Sequence, residues 1–149
     1  MSRSYIPKHS DIFHKDGRQV MNRENLAPEG VWDSKPFGFT QAVVAEGKRM
    51  LFIAGQVGMN KAGEVVGKDF ESQCKQAFDN IAVILRHSNA DFHNIVKVTA
   101  FVTDISNLMT FGKIAAEYFN GEFPAQSILE VKSLALPGLQ VEVEAIAML

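Results

Sequence analysis

Cysteine is nearly absent from this chain. Cys74 stands alone among 149 residues, which excludes an internal disulfide and a zinc site built from several thiolates. An excess of either charge is missing as well. The formal net charge is −2 and no stripe of basic and aromatic residues offers a track for a polynucleotide, so neither nucleic acid nor an anionic membrane surface is an expected partner. No stretch approaches the roughly 20 continuous apolar residues of a membrane-spanning helix. The opening residues, with Arg3, Lys8, Asp11 and Lys15 among polar neighbours, lack the apolar run of a secretory signal. His9, His14, His87 and His93 have no metal-ligand spacing, and nothing links Ser, His and Asp into a nucleophilic triad. A cytoplasmic protein without metal or cofactor is the expectation.

With 46% hydrophobic and 21% charged residues, the chain can bury one sizeable core, and its length suits a single domain. Residues 1–35 are polar and broken by Gly17, Pro28 and Gly30. They read as an N-terminal arm, or as a short hairpin in which Ile12-Phe13 and Val20-Met21 flank the Asp16-Gly17 turn. Met21 could serve as an alternative start, which would shorten the arm. The main domain is expected over 36–149.

Phe39 to Val44 and Met50 to Val57 read as strands about the Glu46-Gly47 turn, and Glu64 to Val66 as the start of a short one. From Asp69, a capping carboxylate, the period becomes helical: Cys74, Ala77, Phe78, Ile81, Ile84 and Leu85 share one apolar face, and Asn89 suits a left-handed terminator. Cys74 on that stripe reads as a core residue. Ile95 to Thr103 is a β-branched strand with Val96, Val98, Ala100 and Val102 on one face. A second helix follows from about Asn107, with Leu108, Phe111, Ala115, Tyr118 and Phe119 at helical spacing, and strands Ser127–Val131 and Gln140–Ala147 close the chain. Two helices on one face of a mixed sheet give an α+β fold. Several strands are apolar on both faces, which points to a partner subunit covering the second face.

The words Phe39-Thr40-Gln41-Ala42-Val43, Ala54-Gly55-Gln56-Val57, Ala62-Gly63-Glu64-Val65, Ile95 to Asp104, Pro124-Ala125 and Val141 to Ala147, in this order over residues 36–147, resemble the reactive-intermediate deaminase (Rid, YjgF-like) family. The resemblance implies a chorismate-mutase-like α+β fold and a homotrimer with small-molecule clefts between subunits. Deaminating members carry an arginine that grips the substrate carboxylate where this chain has Gln126. They carry tyrosine at Phe39, in the first strand, asparagine at Gly112 and cysteine at Ile128. Gly55, whose backbone lies beside the ligand, and Glu142, which helps hold a water, match the pattern.

Every loss removes a polar group. Gln126 offers a neutral amide in place of a charged bidentate fork. Gly112 leaves space, or permits close helix packing. Phe39 and Ile128 make the wall apolar. Glu142 shares a face with Glu144, as a water-orienting carboxylate or as part of a solvated sheet face. The expected function is binding of a small, weakly charged metabolite with little or no imine deaminase activity. The alternative is a divergent hydrolase using Glu142 and a water on another small substrate. A nuclease or translation inhibitor, proposed for relatives, fits the acidic charge least.

Overall fold

The computed structural model of the protein describes residues 21–149. The hairpin considered about Asp16-Gly17, together with His9 and His14, lies outside the described residues. Six strands, β1 (Asn22–Leu26), β2 (Ala42–Glu46), β3 (Met50–Val57), β4 (Ile95–Val102), β5 (Ala125–Glu130) and β6 (Val141–Met148), accompany two helices, α1 (Phe70–His87) and α2 (Leu108–Phe119). Four strands form a mixed sheet in the order β3-β6-β4-β5, with β4 and β5 parallel and the other pairs antiparallel. Parallel neighbours need a crossover connection, and α2 is that connection.

The helix α1 starts where Asp69 Oδ1 accepts from the Ser72 backbone N–H at 2.8 Å, and Asn89 follows its end with φ 54°. Its stripe is buried as its spacing requires: Cys74, Ala77, Phe78 and Ile81 are fully enclosed. Phe78 stacks on Tyr118 of α2 at 4.9 Å and meets Phe111 at 5.7 Å, so the aromatic centre of the core joins the two helices. Both pack on the face of the sheet that carries Val98, Ala100, Val102, Val141, Val143 and Ala145.

Three expectations need correction. Phe39 precedes the strand: β2 starts at Ala42, and only Thr40 makes an isolated bridge, to Ala125. β2 also leaves the main sheet and pairs with β1, inside the segment read as an arm. The cause is Arg23. Its guanidinium donates to the carbonyls of His93 (2.8 Å), Ile95 (3.0 Å), Glu122 (3.1 Å) and Phe123 (2.7 Å) and to Asn25 Oδ1 (2.9 Å), using all five of its N–H groups. Finally, an irregularity between Ile95 and Lys97 shifts the face of β4, so that Ile95 is fully buried and Val96 half-buried.

Arg23→Ala removes the partner of four carbonyls, of which those of Ile95 and Phe123 are half-buried, and should cost about 2–3 kcal/mol; thermal unfolding should show a fall of several degrees, only partly recovered by Arg23→Lys. For Cys74, burial pushes the thiol up to about 12. The unfolded thiol ionises near 8.5, so this preference for the protonated form is present in full below about pH 8.5 and fades as pH rises toward the native value. Iodoacetamide at pH 8 should therefore label Cys74 only when urea unfolds the chain; fast labelling of folded protein would contradict the burial.

Candidate functional site

On β6, Val141, Val143, Ala145 and Ala147 are buried while Glu142 and Glu144 alternate outward. Glu142 stands opposite Val57 of β3 and Phe101 of β4. A register shift between Ile53 and Gln56 brings Gly55 in β3 under its carboxylate. A Cβ at Gly55 would overlap Glu142 Oε1, so the absence of a side chain lets the carboxylate lie against the backbone. These two residues, put together by sequence resemblance, are in contact.

The face they occupy is the one without helices. It carries a concavity of about 370 Å³ whose walls include Phe52, Ala54, Lys97, Thr99, Glu144 and Ile146. Phe52 is 69% exposed. Lys97 Nζ donates to the Val98 carbonyl at 3.0 Å and to Ser127 Oγ at 3.1 Å. Burial lowers its pKa, and the charge of Glu144 opposes that shift.

Gln126 and Ile128 lie on the other side. In the parallel pairing of β4 with β5, Gln126 is opposite Val98 and Ile128 opposite Ala100, both on the helix-covered face. Ile128 packs against the core. Gln126 Oε1 is buried with no hydrogen-bond partner among the described residues. The chain beside it is fixed by the Thr40 N–H, which donates to the Pro124 carbonyl at 3.0 Å. That contact draws Phe39 alongside Pro124-Ala125-Gln126, and Ser34 Oγ holds the Phe39 carbonyl at 2.9 Å.

Gly112 sits on α2 facing the turn before Phe39. A Cβ there would meet only the Phe37 carbonyl oxygen, at 3.5 Å, an ordinary contact, so helix packing does not require glycine. The space opens into a groove bounded by Lys35–Gly38. Five of the six sequence-derived residues therefore form two groups on opposite faces of one sheet, Gly55 with Glu142 and Phe39 with Gln126 and Ile128 about the β5 edge, while Gly112 lies apart on α2 beside the Lys35–Gly38 groove.

Two features were missed in the sequence. Trp32 meets Phe37 and Phe39 edge-on at 5.4 and 5.6 Å, a cluster signalled only by three aromatics spaced closely in a polar segment. Lys35 and Lys113 line the groove together, which no local spacing indicates. Among the described residues, no group of three or more His, Cys, Asp or Glu side chains could hold a metal ion, and no helix is long and apolar enough to cross a membrane. His93 instead pairs with Glu122.

Comparison with known proteins extends these features. The pattern of the family described as endoribonuclease L-PSP matches residues 35–149. The human 2-iminobutanoate/2-iminopropanoate deaminase is 36% identical over 110 residues, covering 73% of this chain and 78% of that protein. A RutC family protein of Pyrococcus horikoshii is also 36% identical, over 76% of this chain and 89% of its own length. The crystal structure of YyfB from Yersinia pestis, a protein of unknown function of the conserved Rid family, superimposes with a TM-score of 0.81 at 38% identity, covering 86% of this chain and 99% of that one. Yeast Mmf1 gives a TM-score of 0.64 at 31% identity, over 74% of this chain and 86% of its own. With the pattern, the relatives and the mixed sheet under two helices in agreement, the chain belongs to the endoribonuclease L-PSP family, which includes the Rid proteins.

Proposed function

We propose that the protein binds a small, weakly charged metabolite in clefts between the subunits of a homotrimer, and that its imine deaminase activity is slight or nil. The observation that carries this reading is Gln126, whose buried Oε1 has no partner among the described residues. An unsatisfied buried acceptor costs about 1–3 kcal/mol, which a ligand N–H or O–H would offset. The amide has no charge with which to hold the carboxylate of an amino-acid-derived imine. Loss of a charge-assisted contact removes roughly 1.5–3 kcal/mol per hydrogen bond and with it much of the orientation that hydrolysis needs.

The intersubunit location is supported by the two groups on opposite faces. Glu142 and Gly55 lie on a sheet face that has no helix, and Gln126 and Phe39 lie at the β5 edge. A second copy placing its β5 edge over the open face would join the groups and cover Phe52. A residual hydrolase is the second reading, favoured by Glu142 being held against the Gly55 backbone, where a carboxylate can orient a water.

Two measurements test this. Hydrolysis of 2-iminobutanoate by the unmodified protein should stay near background, and Gln126→Arg should raise it only in part because Phe39, Gly112 and Ile128 remain; robust turnover without that change would defeat the clamp argument. Light scattering at micromolar concentration should give three times the chain mass, and a monomer would remove the intersubunit cleft.

A further inference from the structure

The groove between the Lys35–Phe37 turn and α2 has its own chemistry. It holds about 230 Å³ and shares only Gly112 with the six residues of the proposed cleft. Its walls are apolar: Pro36, Phe37, Leu108, Met109, Ala116 and Phe123. Phe37 and Met109 are 42% and 56% exposed, so apolar surface is left open there. Gly112 supplies the floor, because a side chain at this position would project toward the Phe37 carbonyl and into the space.

The charged lining is of one sign. Lys35 and Lys113 border the groove, no carboxylate does, and neither ammonium has an ion-pair partner among the described residues. The nearest acid in the turn, Asp33, is engaged through Oδ1 with the Lys35 backbone N–H at 3.1 Å. In a chain of net charge −2, two unpaired lysines beside an apolar slot form a local site for an anion.

The groove is preformed. The Phe37 N–H donates to the Ser34 carbonyl and the Gly38 N–H to that of Lys35, each at 3.0 Å. The buried Ser34 hydroxyl holds the Phe39 carbonyl, and Gln41 Nε2 holds that of Trp32 at 2.8 Å. A wall fixed at both ends loses little entropy when a ligand enters.

We propose that this groove binds a small amphipathic carboxylate. Its acid group lies between Lys35 and Lys113, and its aryl or short alkyl body lies over Gly112 between Phe37 and Met109. The site is independent of Gln126, and its occupant differs in charge from the ligand proposed for the intersubunit cleft.

The probes are 4-phenylbutyrate and its neutral amide, titrated into the full chain by calorimetry. Trp32, the one tryptophan, reports on Phe37 by fluorescence, and methyl NMR reports on Met109. The acid should bind about tenfold more tightly than the amide, as expected for one charge-assisted contact, and should shift the Met109 methyl signal. The double substitution Lys35→Gln with Lys113→Gln should bring the acid down to the affinity of the amide. Ala116→Leu should fill the groove and abolish binding of both, with the melting temperature preserved. Equal affinity for acid and amide, or an unaltered affinity in the double variant, would overturn the proposal. So would acid binding that leaves the Met109 methyl signal and the Trp32 fluorescence unmoved, which would put the acid elsewhere, or saturation of the groove by a peptide C-terminus and not by phenylbutyrate. None of these results bears on 2-iminobutanoate turnover, so the two proposals fail separately.

Discussion

The register of β6 is the constraint on which the rest of the structure depends. This strand lies between β3 and β4 and pairs with both. Its alternation puts Val141, Val143, Ala145 and Ala147 under the helices and Glu142, Glu144 and Ile146 on the opposite face. A slip by one residue would turn two carboxylates into the core and four core side chains out of it. Burying unpaired carboxylates is expensive enough to exclude that alternative. Since β6 pairs with both neighbours, the same choice sets which residues of β3 and β4 face the helices. Through the parallel β4–β5 pair it also sets the side on which Gln126 lies.

The division of the candidate residues follows from this. Glu142 and Gln126 belong to strands separated by β4 and are offset by three residues along them, since Gln126 is level with Ala145 through Val98, so their backbones are more than about 10 Å apart, and their side chains leave on opposite faces. One ligand can touch both only round the β5 edge or between two copies of the chain. The irregularity in β3 matters here too. It presents Gly55, without a side chain, to the carboxylate of Glu142, whereas a residue with a Cβ would displace that group from the sheet.

What the sequence made legible was local and periodic. Asp69, the stripe from Cys74 to Leu85 and Asn89 mark α1 because capping and 3.6-residue spacing are properties of neighbouring residues. The β-branched run of β4 declares itself in the same way. β1 was hidden, because Asn22, Arg23, Glu24 and Asn25 have no strand pattern and are held by Arg23 reaching carbonyls far along the chain. The position of Phe39 outside a strand depends on the Thr40–Pro124 contact, again a long-range matter. The resemblance named six site residues, but their separation onto two faces needed the register of four strands. The pairing of Lys35 with Lys113 across a groove needed the turn and α2 in place.

At the proposed site, a neutral amide at Gln126 in place of the arginine that the family resemblance implies would change what an empty site costs as well as what a full one gains. A buried guanidinium with no carboxylate beside it carries a desolvation penalty of several kcal/mol, so such a site favours the bound state of an anion. An amide with one unpaired oxygen carries about 1–3 kcal/mol and asks only for a donor. In the proposed cleft, discrimination at Gln126 would rest on hydrogen-bond geometry and on the apolar fit against Ile128 and Phe39, both smaller and shorter-ranged than a Coulomb term. The lysines at the groove differ from a buried clamp in the opposite respect. Both are exposed, so they remain hydrated when the groove is empty and bring less energy when it is filled. With both proposed sites in place, the chain would recognise shape in one and charge in the other without burying an unpaired ion in either.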